Sequence, residues 1–345
     1  MYVINAINVR DALPSAVDYL LIQGIREQTR LGEVLASPGP VCIQYLNPKE
    51  HVLFNPIRDA NPFFHLMEAI WMLAGRHDGS FLDNYIKDFS KRFGNNGIIM
   101  DAYGYRWRYA LRMDQLDEIV AQLRKDPTTR QAVLQMWGAG VNELMSASAK
   151  PCNLIATFRI VNNQLDMTVL NRSNDVIWGC CGANAVHFPI LQEYIAARIG
   201  VNIGRYHQIS TNLHLYQFHI DMITNRLGKY KLNHHYKSPH LTDLAHSLKD
   251  NYAYEPTQSL MTEPLYFDDD LKETMVLLDL LHQGKGYECA IMNIFLREVV
   301  VPMATAYRRY KDGNKAGSYE AIESVIAADW QRAGKEWLER RYVGR

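Results

Sequence analysis

Residues 151–175 read Pro151-Cys152-Asn153-Leu154-Ile155-Ala156-Thr157-Phe158-Arg159-Ile160-Val161-Asn162-Asn163-Gln164-Leu165-Asp166-Met167-Thr168-Val169-Leu170-Asn171-Arg172-Ser173-Asn174-Asp175. Leu154 to Val161 and Leu165 to Leu170 are rich in residues that favour strands, and Asn162-Asn163 between them tolerates the left-handed backbone of a tight turn. The stretch therefore predicts a β-hairpin with a thiol at its entrance and an Arg-Ser pair at its exit. A thiolate attacks carbon, and a guanidinium beside a hydroxyl holds phosphate. Together they point to covalent chemistry on a phosphorylated small molecule.

Outward from the hairpin, the pattern alternates strand and helix. Leu13, Val17, Leu20, Leu21 and Ile25 recur at helical spacing and predict a helix over residues 12–28, closed by Arg26, Glu27 and Gln28. A polar stretch punctuated by Gly and Pro, Thr29 to Pro40, precedes a strand at Val41 to Leu46. Asn61-Pro62 has the form of a helix cap and first residue, with Gly75 ending the helix after Leu66, Ile70 and Leu73. Asp114 to Lys125 predicts an amphipathic helix, and Gln131 to Trp137 a strand. Residues 184–199 predict a helix in which Pro189 must occupy the first turn or cause a kink. Residues 202–218 return to strand and then helix. Beyond Tyr230 the stretch 231–272 is rich in His, Pro, Tyr and Asp, and helical patterns follow at 273–283, 289–311 and 319–342. The expected architecture is α+β, a single domain over 1–345 with a catalytic core at about 10–230 and a helical C-terminal extension at about 231–345 packed on it.

Composition narrows the function classes. The 345 residues hold 37 Lys+Arg against 37 Asp+Glu, so no long-range charge draws the chain to nucleic acid or a membrane surface. Five scattered cysteines, Cys42, Cys152, Cys180, Cys181 and Cys289, form no CxxC pair, which argues against a disulfide framework or zinc knuckle and fits a reducing cytoplasm. No signal peptide is read at Met1-Tyr2-Val3-Ile4-Asn5, and no run approaches the ~18 apolar residues of a membrane span. His214 and His219 have no third ligand at suitable spacing, so no metal is expected. His234-His235 fit a loop surface.

Several motifs in order resemble the thymidylate synthase and pyrimidine-nucleotide hydroxymethylase family. Pro151-Cys152 looks like that family's nucleophile, Asn171-Arg172-Ser173-Asn174-Asp175 like its Gln-Arg-Ser-x-Asp segment, and His214-Leu215-Tyr216-Gln217-Phe218-His219 like its His-x-Tyr-x-x-His segment. Glu68-Ala69-Ile70-Trp71-Met72-Leu73-Ala74-Gly75 resembles its Glu-x-x-Trp-x-Leu-x-Gly helix. Tyr103-Gly104-Tyr105-Arg106-Trp107-Arg108 resembles its Tyr-Gly-x-x-Trp-Arg turn, and Asp126-Pro127-Thr128-Thr129-Arg130 its approach to a strand. These pieces cover roughly residues 13–225.

The resemblance implies a thymidylate synthase-like mixed or antiparallel sheet core with flanking helices. It also implies a role for each matching residue. Cys152 adds to C6 of a pyrimidine, because C5 is a poor nucleophile until C6 is attacked. Glu68 organises water and protons, and Tyr103 assists proton removal from C5. Arg30, Arg172 and Ser173 hold the phosphate, and Arg130 holds that of the partner subunit in a homodimer. His214 and Tyr216 hold the sugar hydroxyl, Asn184 reads the base, and Asp175 and Trp71 face the folate, 5,10-methylenetetrahydrofolate. Cys180 and Cys181 are expected as pocket wall or packing. Gln131 stands where the family has a second phosphate arginine.

Four departures separate the chain from thymidylate synthases and imply a hydroxymethylase, in which water rather than hydride completes the reaction. Asn153 follows the nucleophile where histidine is usual. Gly179-Cys180-Cys181-Gly182-Ala183-Asn184 is one residue longer than the usual Gly-Leu-Pro-Phe-Asn, so that Asn184 takes the base-reading place with an insertion and Ala183 takes it without one, leaving no such reader; the departure leans the base toward cytidylate, with deoxyuridylate close beside it. Ile86-Lys87-Asp88-Phe89 stands where synthases carry tryptophans, and the short folate-closing tail gives way to C-terminal helices. Thymidylate synthesis from dUMP is the alternative reaction, and a non-catalytic nucleotide- or RNA-binding relative is the alternative of another class.

Overall fold

The hairpin forms where its residues place it, and it lies at the heart of a larger mixed sheet. A computed structural model of the chain describes residues 1–138, 150–233, 241–250, 253–254, 266–286 and 289–343. Its strands are β1 (Tyr2–Ala6), β2 (Ile25–Thr29), β3 (Gly32–Ala36), β4 (Val41–Tyr45), β5 (Val133–Gln135), β6 (Asn153–Val161), β7 (Gln164–Asn171), β8 (Asn174–Asp175), β9 (Asn202–Ser210) and β10 (Leu213–Tyr216). β6 and β7 pair antiparallel, and Asn162 and Asn163 at their turn have φ of 50° and 59°. That left-handed pair matches the twist of the strands it joins.

Six strands form one sheet in the order β1-β4-β9-β7-β6-β5, with β1 parallel to β4, β7 parallel to β9 and the other pairs antiparallel. A second sheet has the order β2-β3-β10-β8. In it β8, the segment just after Arg172-Ser173, runs parallel to β10, setting His214 opposite Asp175. The long Asn184–Ile199 helix packs against β7, β9 and the Pro62–Leu73 helix. The expected α+β architecture is observed.

Several element boundaries differ from expectation, each for a local reason. The first helix spans Val9–Gln23, capped by the Asn8 side chain accepting from Asp11 N–H, and ends at Gly24. Arg26, Glu27 and Gln28 belong to β2, paired with β3 from Ile25↔Ala36 to Thr29↔Gly32. The apolar stripe stops before them, and sheet pairing overrides their helix propensity. Arg30 and Leu31 form the tip of that β2–β3 hairpin, and β3 lies inside the stretch expected to be polar loop.

Pro189 sits in the second turn of its helix; the break in helical geometry falls earlier, at Cys181 and Gly182. In the C-terminal part the helices are Leu241–Ser247, Phe267–His282, the π-helical Leu296–Val300 running into Val301–Lys311, Lys315–Glu323 and Ala328–Val343, so the 319–342 pattern is two helices and the 289–311 pattern is helical from residue 294 onward. His234 and His235 lie outside the described residues.

One continuous apolar cluster runs from Ile4 on β1 to Leu338 on the last helix. The C-terminal helices meet the core at Phe63 of the Pro62–Leu73 helix. Trp337 is edge-on to its ring at 5.4 Å and Tyr307 lies 5.2 Å away. Among the described residues no helix is long and apolar enough to cross a membrane.

Candidate active site

The Pro62–Leu73 helix starts from Asn61, whose side chain accepts from Phe64 N–H, with Pro62 in the first turn. Every residue of this helix is buried except Glu68. A helix apolar all round belongs to the interior, and a carboxylate in it needs an opening or a partner. Glu68 has both. It borders a cavity of about 530 Å³ and its Oε2 lies 3.2 Å from Nε2 of His187. The cavity wall also includes Phe64, Trp71, Met72, Ile86, Phe89 and Tyr103, and Asn184 and Trp178 close another side. Trp71 donates its indole N–H to the Asp78 carbonyl at 3.0 Å, which holds the ring in the wall.

Tyr103 is docked on the end of the same helix. The neighbouring Gly104 packs so tightly that an added Cβ would lie 1.9 Å from the Met72 carbonyl oxygen. From there the Tyr103 hydroxyl oxygen accepts two backbone hydrogen bonds, from Cys152 N–H at 2.9 Å and Asn153 N–H at 3.2 Å. Burial pushes this phenol well above its ordinary range. Cys152 enters β6 beside a bulge between Asn153 and Ile155, a common way to aim a side chain at a site. The thiol is half-buried. Burial pushes it up, the Arg172 and Arg30 guanidinium groups pull it down, and Asp101 pushes it up again.

The Arg172 N–H donates to the Cys152 carbonyl at 2.9 Å. Its guanidinium donates to the Pro151 and Lys150 carbonyls at 2.8 and 2.7 Å, and lies over the Trp137 ring. Ser173 is half-buried in the next position. Arg30 reaches the same region from the exposed β2–β3 hairpin tip, close enough to act on both Cys152 and Tyr216. His214 is buried, with Nδ1 2.9 Å from the Asn212 side-chain oxygen, and its ring meets Tyr216 at right angles. Burial pushes His214 below its ordinary range. Arg130 is exposed after the Asp126 turn and is not among the residues lining the cavity.

Asp175 caps the next turn by accepting from Trp178 N–H at 2.6 Å, and its other oxygen lies 3.1 Å from His219 Nδ1. Residues Val176–Ala183 form a π-helical turn. Helical geometry breaks inside it at Cys181 and Gly182 before the next helix opens. Asn184 then opens that helix and faces the cavity, as does Ala183. The Asn184 amide donates to Asn174 Oδ1 at 3.2 Å and exchanges hydrogen bonds with the Asn153 amide at 3.3 Å. Cys180 and Cys181 are fully buried and do not line the cavity, so they are packing.

Glu68, Tyr103 and Asn184 line the cavity, while Cys152, Arg172, Arg30, His214 and Tyr216 group outside that lining and are joined to it where the Tyr103 hydroxyl accepts from Cys152 N–H. Several cavity residues were not singled out by the sequence, Arg58 and His187 among them. Arg58 is buried, donates to the Ile177 carbonyl at 2.8 Å, and is drawn down by burial to about 10, so it stays charged near neutral pH. Its signal was the Arg-Asp pair just before a capped apolar helix. The signal for His187 was its position three residues after Asn184, on the same helix face. Among the described residues no group of three or more His, Cys, Asp or Glu side chains is placed to hold a metal ion.

Residues 54–258 match the family model described as Thymidylate synthase. A Pseudomonas phage M6 protein named deoxyuridylate hydroxymethyltransferase is 38% identical over 356 residues, covering 99% of this chain and 95% of that protein. A Bacillus phage SP01 protein of the same name is 37% identical over 204 residues, covering 54% of this chain and 53% of that protein.

Proposed function

The chain belongs to the thymidylate synthase family, and from that membership we propose that it is a folate-dependent deoxyuridylate 5-hydroxymethylase. It is a one-carbon transferase of pyrimidine nucleotides with 5,10-methylenetetrahydrofolate as cosubstrate. The observation that carries the hydroxymethyl outcome is the extent of the likeness to the phage M6 protein. It spans 99% of the chain and so reaches through the C-terminal helices, which lie beyond the residues 54–258 of the family match. The same likeness moves the base from the cytidylate favoured by the Cys180-Cys181-Gly182-Ala183 departure to uracil, with Asn184 as its reader.

In this reading Cys152 attacks C6 and Arg172 fixes the phosphate. The Arg172 guanidinium already grips the backbone at Lys150 and Pro151, so a phosphate on it stands in a set relation to the thiol. Arg30 and Ser173 complete that grip, and Arg130 supplies the second subunit's site. His214 and Tyr216 hold the sugar. Tyr103, kept neutral by burial, serves as the conduit for the C5 proton, and the two N–H groups on its oxygen stabilise charge that builds there. The aromatic and apolar cavity suits a pterin and its aryl tail, with Trp71, Ile86 and Phe89 in its wall; Asp175, the other folate contact of this reading, lies outside that lining and caps the turn that carries Trp178. When bound, the folate supplies a one-carbon unit at the oxidation level of formaldehyde. We place the enzyme in the cytoplasm, where nucleotide and folate are found.

The test is to incubate the protein with methylenetetrahydrofolate and, separately, dUMP, UMP, dCMP and CMP, and to weigh the products. Gain of CH2O on dUMP is expected. Gain of CH2 would make it a thymidylate synthase, gain of CH2O on a cytidylate would restore that base, and no product with any nucleotide would leave only the binding relative. Cys152→Ser is expected to abolish turnover while dUMP binding persists.

A further inference from the structure

We propose that His187 is a catalytic residue which, with Glu68, holds and deprotonates the water that becomes the product's hydroxyl group. The inference rests on the hydroxymethylase reading above and names the group that reading lacks. Glu68 comes from the Pro62–Leu73 helix and His187 from the Asn184–Ile199 helix, and both line the cavity that Tyr103 and Asn184 also border. His187 Nε2 and Glu68 Oε2 are 3.2 Å apart, with side chains only 4% and 15% exposed. Both atoms are buried, and although they lie within reach of each other neither is satisfied by a hydrogen bond. Two polar atoms left this way in an interior are destabilising unless a third group serves both. A water touching each at hydrogen-bond distance does so, and it sits against the cavity rather than in the core.

The chemistry needs such a water at one step. With the one-carbon unit on C5 as an exocyclic methylene, the water oxygen bonds to that carbon as the C=C π bond opens. The electron pair passes to the C4 oxygen as an enolate, then rebuilds C5=C6 as the C6–S bond breaks and Cys152 leaves as thiolate. The water's second proton moves to His187 Nε2, and Glu68 stabilises the imidazolium beside it. No oxidant or reductant is consumed. His65 also borders the cavity and His51 lies near His187, but burial holds both imidazoles neutral and His51 is engaged with the Pro48 carbonyl. Among the described residues His187 is the imidazole set against Glu68.

The test compares the unaltered enzyme with His187→Gln and His187→Ala in three readouts: dUMP affinity, single-turnover release of tritium from [5-³H]dUMP, and yield of 5-hydroxymethyl-dUMP. Tritium leaves C5 before water adds, so it separates this step from those before it. Affinity and tritium release are expected to stay within about threefold of the unaltered enzyme, while product formation falls about 100-fold, within the usual range for a lost general base. The near-isosteric glutamine variant carries the result if the alanine variant does not fold. Product formation within threefold in the glutamine variant overturns the proposal, as does tritium release that falls in step with product. Failure of the functional reading is a different result, namely no hydroxymethylated product from the unaltered enzyme.

Discussion

Cys152 sits among opposing charges. Arg172 and Arg30 favour its thiolate, while burial and Asp101 favour the thiol. Asp101→Asn removes a negative neighbour, so the pH midpoint for alkylation of Cys152 should fall and the rate at neutral pH should rise. Arg172→Ala should do the reverse and also raise the KM for dUMP at least tenfold, since a hydrogen bond to a charged group is worth about 1.5–3 kcal/mol. Peptide mass mapping of iodoacetamide adducts reads the thiol directly; an unchanged midpoint in both variants would contradict the assigned charges. The sequence singled out this cysteine as the candidate nucleophile from Pro151 and the downstream Arg-Ser pair. Its charge neighbours were not all legible: Asp101 and Arg30 are remote from it in sequence and reach it only through folding.

Two elements do more than their residue patterns announce. The turn at Tyr103 is placed by Gly104, where a Cβ would collide with the Met72 carbonyl. Gly104→Ala should therefore push Tyr103 off the Cys152 and Asn153 N–H groups, with kcat falling at least tenfold and Tm dropping by several degrees. A variant with normal kcat would show that the Tyr103 contact is dispensable. The first turn of the last helix carries buried Asp329, whose carboxyl accepts from Trp330 N–H and is pushed by burial up to about 6. Its native pKa lies above the ordinary value of 3.8, so the folded state keeps the proton that the unfolded chain releases. Stability is then highest below about pH 4 as far as this group is concerned and is lost as pH rises through 6. The loss is about 3 kcal/mol at neutral pH. Asp329→Asn should remove that slope and raise Tm at pH 8; melting curves of the two proteins at pH 5 and pH 8 check it.

At the scale of the molecule, the C-terminal helices are tied to the cavity rim. Arg341 grips both oxygens of Asp59 at 2.7 Å and Arg340 reaches the same carboxylate at 3.2 Å, while Asp59 itself borders the cavity. Asp59 adopts a positive φ of 51° just before the Glu68 helix, so the last helix braces the segment that starts it. We propose on this basis that residues 1–345 fold as one unit, and that unfolding followed by tryptophan fluorescence and loss of activity should coincide. Separate transitions would divide the chain. The proposed dimer has its own test. Arg130→Ala and Cys152→Ser should each be inactive, and a mixture of the two, unfolded and refolded together, should recover up to about a quarter of the unaltered activity. That follows if Arg130 serves the partner's site, since a hybrid has one site with both residues intact. No recovery would place Arg130 in its own subunit's site, and an active Arg130→Ala would place it outside catalysis.

By itself the sequence determined the hairpin around Asn162-Asn163, the capped apolar helix carrying Glu68, and the candidate nucleophile, because turn chemistry, helix caps and hydrophobic period act over a few residues. Local propensity misread Arg26, Glu27 and Gln28, where pairing with β3 prevails. Tertiary structure decided that Asn184 faces the cavity, since only packing selects the π-helical turn and the break at Cys181 and Gly182 that precede it. It alone also set His187 against Glu68. Those two side chains lie on separate helices far apart in the chain, and their meeting depends on how the helices cross, which no local pattern encodes.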